Sequence, residues 1–104
     1  MERITVTTRL WRWQAATAPA TWYFLTIEGD AADAVRLAAI SEQWLERRRG
    51  FGSARVEARI GDSVWKTSVF PHRESGGWLL PVKAAIRKAE RLAEGDAVTV
   101  SVSL

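Results

Sequence analysis

The chain has 104 residues, 47% of them hydrophobic and 26% charged, with a formal net charge of +3 and no cysteine. These values are typical of an ordered globular protein, so we expect a single domain over residues 1–104. Without cysteine, the composition excludes disulfides, thiolate metal sites and a cysteine nucleophile. Because the sequence has no signal-peptide pattern and no apolar run of ~20 residues, we expect a cytoplasmic protein that does not span a membrane.

The first predicted element is a strand over residues 4–13, in which aliphatic and polar residues alternate. Trp11 and Trp13 fall on the phase opposite to the aliphatic residues. One of the two phases must therefore face outward, cover a helix or line a pocket. A loop over residues 14–20 then leads to an aromatic strand over residues 22–27.

A helix is predicted next, because apolar residues recur at spacings of three and four over residues 34–45. Asp30 is the expected N-cap, since its carboxylate can accept a hydrogen bond from an amide of the first turn. The arginine run at residues 47–49, followed by Gly50, predicts the end of this helix. Cations are favourable in a last turn, and glycine readily adopts the left-handed conformation that follows it.

The second half of the chain contains further strand and helix patterns. The predicted elements are a hairpin of strands over 56–60 and 64–70, a strand over 78–80, a helix over 82–93 and a strand over 98–104. Gly61 and Asp62 predict the two-residue turn of the hairpin. Pro81 suits the first turn of the second helix, because its missing N–H is not needed there.

The count is thus six strands and two helices. Six short strands in a chain of this size would leave open edges unless the sheet closed on itself. We therefore expect a mainly β (α+β) fold, a small closed six-stranded β-barrel with two helices.

Five segments distributed over the chain share the pattern of a known family. They are Trp22–Thr26, Gly50–Val56, Lys66–Pro71, Leu80–Ala89 and Glu94–Val100. In this order and spacing they make the sequence similar to the bacterial domain of unknown function 1905 (DUF1905). The resemblance implies a small β-barrel, and it implies no established activity.

Little in the sequence favours catalysis. His72 is the one histidine, and without a cysteine or a second histidine it has no partner for a dyad or a metal site. Lys66, Thr67 and Ser68 lie in the middle of a predicted strand, without the glycine-rich turn and helix of a phosphate-binding loop. We expect no metal and no cofactor, and we keep an enzyme that uses His72 or Ser68 as the least favoured alternative.

Basic and aromatic residues form the better candidate site, since 12 of the 15 basic residues are arginine and there are six tryptophans. The candidate ligand-binding residues are Lys83, Arg87 and Arg91 on the second helix, Arg55 and Arg59 on a strand, and Trp11, Trp13 and Trp78. The arginine run at residues 47–49 could extend this set. Such cations could hold an anion, and aromatic faces beside them could stack bases. The competing interpretation is that most tryptophans fill the core, because indole supplies a large buried area.

These patterns favour a non-enzymatic module for a small ligand or a protein partner. The alternative is a nucleic-acid-binding barrel that uses the arginine and tryptophan surface. Nucleic-acid affinity would fall steeply with salt, whereas a small ligand in an apolar cavity would bind almost independently of salt. The sequence specifies neither the partner nor the oligomeric state.

Overall fold

Seven antiparallel strands form one curled sheet in the computed structural model of the chain. The structure describes residues 3–16, 20–46 and 53–104, and for residues 41–46 it describes the backbone alone. The strands are β1 (Arg3–Arg9), β2 (Trp11–Gln14), β3 (Thr21–Ile27), β4 (Ala54–Ile60), β5 (Ser63–His72), β6 (Gly77–Pro81) and β7 (Ala97–Ser103), and the helices are α1 (Gly29–Glu46) and α2 (Ala84–Ala89). The strand order across the sheet is β1-β7-β4-β5-β6-β3-β2.

The predicted closed six-stranded barrel is wrong, because the sheet is an open half-barrel of seven strands. The predicted first strand is divided at Leu10 into β1 and β2, which pair with β7 and β3 at opposite edges of the sheet. Leu10 is buried and forms two hydrogen bonds to the loop before β7. Its N–H donates to the carbonyl of Asp96 at 3.0 Å, and its carbonyl accepts from the N–H of Gly95 at 2.7 Å. The two edge strands, β1 and β2, are joined by a single residue, which is too short a connection for them to pair with each other as a hairpin. No ladder therefore joins the two edges of the sheet, and the barrel stays open.

The core lies on the concave face of the sheet. Its buried strand residues are Leu25, Ile27, Ala54, Val56, Ala58, Ile60, Trp65, Val69, Trp78, Leu80, Val98, Val100 and Val102, and Leu10 between β1 and β2 is buried with them. They alternate with exposed residues along β4 and β7, as the period-two pattern predicts. The Gly61–Asp62 turn joins β4 to β5 with Ile60 opposite Ser63, which confirms the predicted hairpin.

Helix α1 covers part of this core. It packs against β1, β4 and β6 and buries the small residues Ala32, Val35 and Ala39. The indole N–H of Trp78 donates a hydrogen bond to the carbonyl of Ala32 at 3.2 Å, which ties β6 to the helix. Asp30 lies in the first turn of α1 rather than before it. None of the described helices combines the length and hydropathy that a bilayer crossing requires.

Helix α2 is shorter than the predicted helix over residues 82–93. It ends because Arg91 adopts a left-handed backbone conformation with φ of 55°. The N–H of Leu92 donates to the carbonyl of Arg87 at 2.8 Å, and the N–H of Arg91 donates to the carbonyl of Lys88 at 3.3 Å. This pair of bonds is a Schellman motif, which satisfies carbonyls that the end of the helix would otherwise leave unpaired.

Candidate ligand-binding groove

The convex face of the sheet is divided into a polar half and an aromatic half. On β1 and β7, hydroxyl side chains pair across the strands, with Thr5 3.1 Å from Ser101 and Thr7 2.8 Å from Thr99. On β2 and β3, opposing residues are aromatic, and Trp11 lies opposite Phe24 while Trp13 lies opposite Trp22. The candidate groove opens beside the aromatic half.

The groove exists because β5 changes partners along its length. Residues 63–69 of β5 pair with β4, whereas the β6 ladder uses only residues 70–72. Among the described residues, the other edge of residues 63–69 has no strand beside it, and α2 lies there instead. Ser63 donates a hydrogen bond to the carboxylate of Glu90 at 2.6 Å, which fixes the end of α2 to β5.

The resulting groove has a volume of about 540 Å³. It is lined by the cations Lys66, Lys83 and Arg87, by the hydroxyl residues Thr21, Tyr23, Thr67 and Ser68, and by the apolar residues Trp22, Trp65, Phe70, Pro81, Val82 and Ala84. The volume falls within the range of small-molecule sites.

The electrostatic character of the groove is cationic. Three basic side chains line it, and none of the described lining residues is acidic. Arg87 is held in place, since its Cζ lies 3.8 Å from the centroid of the Tyr23 ring and its Nε donates to the carbonyl of Val82 at 3.2 Å. A guanidinium stacked on an aromatic ring and anchored by one nitrogen loses little side-chain entropy when it meets an anion. The groove can therefore hold an anionic group against an apolar wall.

A second depression, of about 520 Å³, lies over the aromatic half of the convex face. We call it the aromatic pocket; it is lined by Trp11, Trp13, Trp22, Phe24, Phe70, His72, Glu74, Leu79 and Pro81. It shares Trp22, Phe70 and Pro81 with the groove. The exposed fractions of Trp13, Trp22 and Phe70 are 46%, 51% and 44%, which is high for such large apolar side chains.

The sequence matches, over residues 7–102, the family described as "Domain of unknown function (DUF1905)". The chain belongs to the DUF1905 family. This confirms the resemblance drawn from the five sequence segments. No curated protein matches the chain. The family description names no activity for this DUF1905 domain.

The structure separates the basic residues that the sequence grouped together. Lys83 and Arg87 line the groove, whereas Arg91 lies beyond the end of α2 and does not. Arg55 and Arg59 are exposed on β4, on the polar half of the convex face. The arginine run at residues 47–49 lies outside the described residues.

The five tryptophans of the DUF1905 domain whose side chains the structure describes also divide into two sets. Trp65 and Trp78 are buried, as the core-packing interpretation predicts. Trp11 is half-buried and its indole N–H donates to the hydroxyl of Thr26 at 2.8 Å, while Trp13 and Trp22 are exposed. Because Trp78 belongs to the core, we do not include it in the proposed sites.

Lys66 is the groove cation that the sequence analysis does not place among the ligand-binding residues. The sequence suggests Lys66, Thr67 and Ser68 only as a phosphate-binding loop or as the site of a serine nucleophile, and the three residues lie within β5, as the rejection of the loop requires. The same three residues nevertheless line the groove. Lys66 and Lys83 are distant in the sequence, and only the folded position of α2 beside β5 brings them to one groove.

His72 takes part in a turn rather than in a catalytic arrangement. Its Nδ1 lies 2.8 Å from the hydroxyl of Ser75, and its Nε2 lies 3.2 Å from the carboxylate of Glu74. The same hydroxyl accepts the N–H of Gly77, and the N–H of Gly76 bonds to the carbonyl of His72. These backbone donors close the turn and so are not directed at an oxyanion. Within the part of the chain that the structure describes, no cluster of three metal-ligating side chains occurs.

Proposed function

We propose that this DUF1905 domain is a non-enzymatic binding module that holds a small organic anion in the groove between β3, β5 and α2. The observation that carries the proposal is the lining: Lys66, Lys83 and Arg87 converge on one groove, with no acidic residue among its described lining. The ligand class is a phosphate or carboxylate attached to a flat apolar group.

Two features of the groove support this ligand class. Bonds from charged donors to a phosphate or carboxylate are about twice as strong as neutral hydrogen bonds, so three cations favour an anion. The aromatic side chains of Trp22, Trp65 and Phe70 supply an apolar wall beside them. A ligand that has both parts uses the whole groove, whereas a bare anion uses only the cations.

Phenyl phosphate is the probe that combines both parts, and inorganic phosphate and phenol are its two halves. We expect phenyl phosphate to bind more tightly than either half and to shift the indole ¹H–¹⁵N signals of Trp22 and Trp65 in NMR spectra. Isothermal titration calorimetry supplies the affinity. Equal affinity for all three compounds, or shifts confined to other tryptophans, would contradict the proposal.

The variant that tests the cations is the double substitution Lys66→Gln/Lys83→Gln, which removes two charges and keeps polar side chains at both positions. We expect the affinity for phenyl phosphate to fall about tenfold or more, since each charged hydrogen bond contributes about 1.5–3 kcal/mol at a desolvated site and less at an exposed one. The matched control is Lys88→Gln on α2, because Lys88 does not line the groove. Because the control removes one charge and the double variant two, a control that loses half as much binding free energy as the double variant would mean that only net charge matters.

The second candidate function is nucleic-acid binding, and one observation favours it. Lys66 also belongs to a shallow depression lined by Arg3 and Arg55, so the cationic surface continues from the groove across β5 and β4. The opposing Glu57 interrupts it, since this carboxylate lies directly across from Lys66. A single strand bound along this surface would require Arg55, whereas phenyl phosphate in the groove would not.

An oligothymidylate titration at two salt concentrations distinguishes the two candidates. Affinity for the oligonucleotide that falls steeply with salt and is reduced by Arg55→Ala would favour nucleic acid, because phosphate contacts release counterions. Phenyl phosphate affinity unchanged by Arg55→Ala would favour the groove. The proposed setting for either function is the bacterial cytoplasm, which the cysteine-free composition permits.

A further inference from the structure

The aromatic pocket contains a continuous row of rings. The ring centroids of Trp22 and Phe24 are 6.3 Å apart and nearly parallel, those of Phe24 and Trp11 are 5.2 Å apart, and those of Trp11 and His72 are 6.1 Å apart. The last two pairs are tilted by 45° and 40°, so the row bends around Trp11. Trp13 lies beside this row, opposite Trp22 in the β2–β3 ladder.

Two of the residues in the row, Trp11 and His72, already have partners for their polar atoms. The indole N–H of Trp11 donates to Thr26, and both ring nitrogens of His72 contact Ser75 or Glu74. A ligand that needs several directed hydrogen bonds would have to displace these contacts. A group that forms no hydrogen bonds would leave them intact.

The charge of the pocket is set by Glu74. Its side chain is 90% exposed, and neither lysine nor arginine is among the described residues that line the pocket. Aromatic faces carry negative electrostatic potential and attract cations. The aromatic pocket is thus opposite in character to the groove, with which it shares only Trp22, Phe70 and Pro81.

We propose that the aromatic pocket binds a quaternary ammonium group. A quaternary ammonium ion has no N–H to donate, presents an apolar surface to the rings and carries the positive charge that complements Glu74. The proposal does not depend on anion binding in the groove, because the cations of the groove take no part in it.

The experiment compares choline with 3,3-dimethylbutan-1-ol, which has the same shape and no charge. We expect choline to bind with a millimolar Kd and the neutral compound to bind about fivefold or more weakly, the difference that a cation–π contact produces at a partly exposed site. In ¹H–¹⁵N spectra, the indole signals of Trp11, Trp13 and Trp22 should move. The signals of the buried Trp65 and Trp78 should stay in place.

Two variants test the residues, Glu74→Gln for the charge and Trp13→Leu for the aromatic surface. Trp13 is 46% exposed, so its replacement leaves the core intact. We expect each to weaken choline binding about threefold or more while the fold is retained. The matched control is Glu94→Gln, an exposed carboxylate outside the pocket.

Three results would overturn the proposal. Equal affinity for choline and its neutral analogue would show that the pocket recognises apolar shape alone. Absence of any shift up to about 50 mM choline, far above a millimolar Kd, would show that no ammonium site exists. Choline binding lost in Lys66→Gln/Lys83→Gln but retained in Glu74→Gln would place the ligand in the groove instead.

Discussion

Replacing Arg91 by glycine is expected to stabilise the protein, because Arg91 occupies a left-handed backbone position at the end of α2. A residue with a side chain pays about 1–2 kcal/mol in that conformation, and glycine pays almost none. Glycine also makes the unfolded chain more flexible, which offsets about 0.4–1 kcal/mol. The net gain is about 0.5–1 kcal/mol, or a rise in Tm of roughly 4 °C for a domain of this size.

The assay is thermal and urea unfolding followed by circular dichroism, with Arg91→Ala as the control. Alanine removes the same charge but keeps the strained conformation, so it isolates the effect of the backbone from the loss of a cation near the helix end. We expect Arg91→Gly to be more stable than Arg91→Ala by about 1 kcal/mol. Equal stability of the two variants would refute the assignment of strain to Arg91.

Three further substitutions test the packing, each measured by urea unfolding. Leu25→Ala should destabilise the protein by about 2–5 kcal/mol, since Leu25 is completely buried and its removal leaves a cavity; a loss under 1 kcal/mol would mean that the concave face is not close-packed there. Gly77→Ala should cost about 2 kcal/mol or more, because its Cβ would collide with the backbone carbonyl of Ile27 on β3; native-like stability would contradict the close β3–β6 approach. Trp78→Phe should cost about 1–2 kcal/mol by leaving the Ala32 carbonyl without its indole donor, and an unchanged stability would show that this bond is not formed.

Local patterns predicted most elements of this fold but not the way in which the sheet ends. The Gly61–Asp62 turn needs only neighbouring residues, and it is where the sequence places it. The break at Leu10 depends on bonds to Asp96 and Gly95, which lie far along the chain. No periodicity within residues 4–13 reveals that the two halves pair with different strands. The prediction of a closed barrel was therefore wrong, although most of its strands were predicted correctly.

The end of α2 shows a related limit. Apolar spacing continues through Leu92, so the sequence predicts a helix to residue 93. Gly95 is the first glycine after this spacing, and glycine is the usual left-handed residue after a helix. Arg91 takes that conformation instead, since the Schellman bonds compensate the strain. Arg91 consequently lies beyond the helix, and of the three basic residues predicted on it only Lys83 and Arg87 line the groove.

The aromatic pocket could not be predicted from β3, because both of its faces are apolar. Tyr23, Leu25 and Ile27 occupy one phase, and Trp22 and Phe24 occupy the other. Alternation shows which residues share a face, but it does not show which face is covered. Leu25 pairs with Leu80 and Ile27 with Trp78, and the indole of Trp78 reaches the carbonyl of Ala32 on α1. The position of α1 thus selects the core face of β3, and the larger rings of the other phase are left to form the pocket.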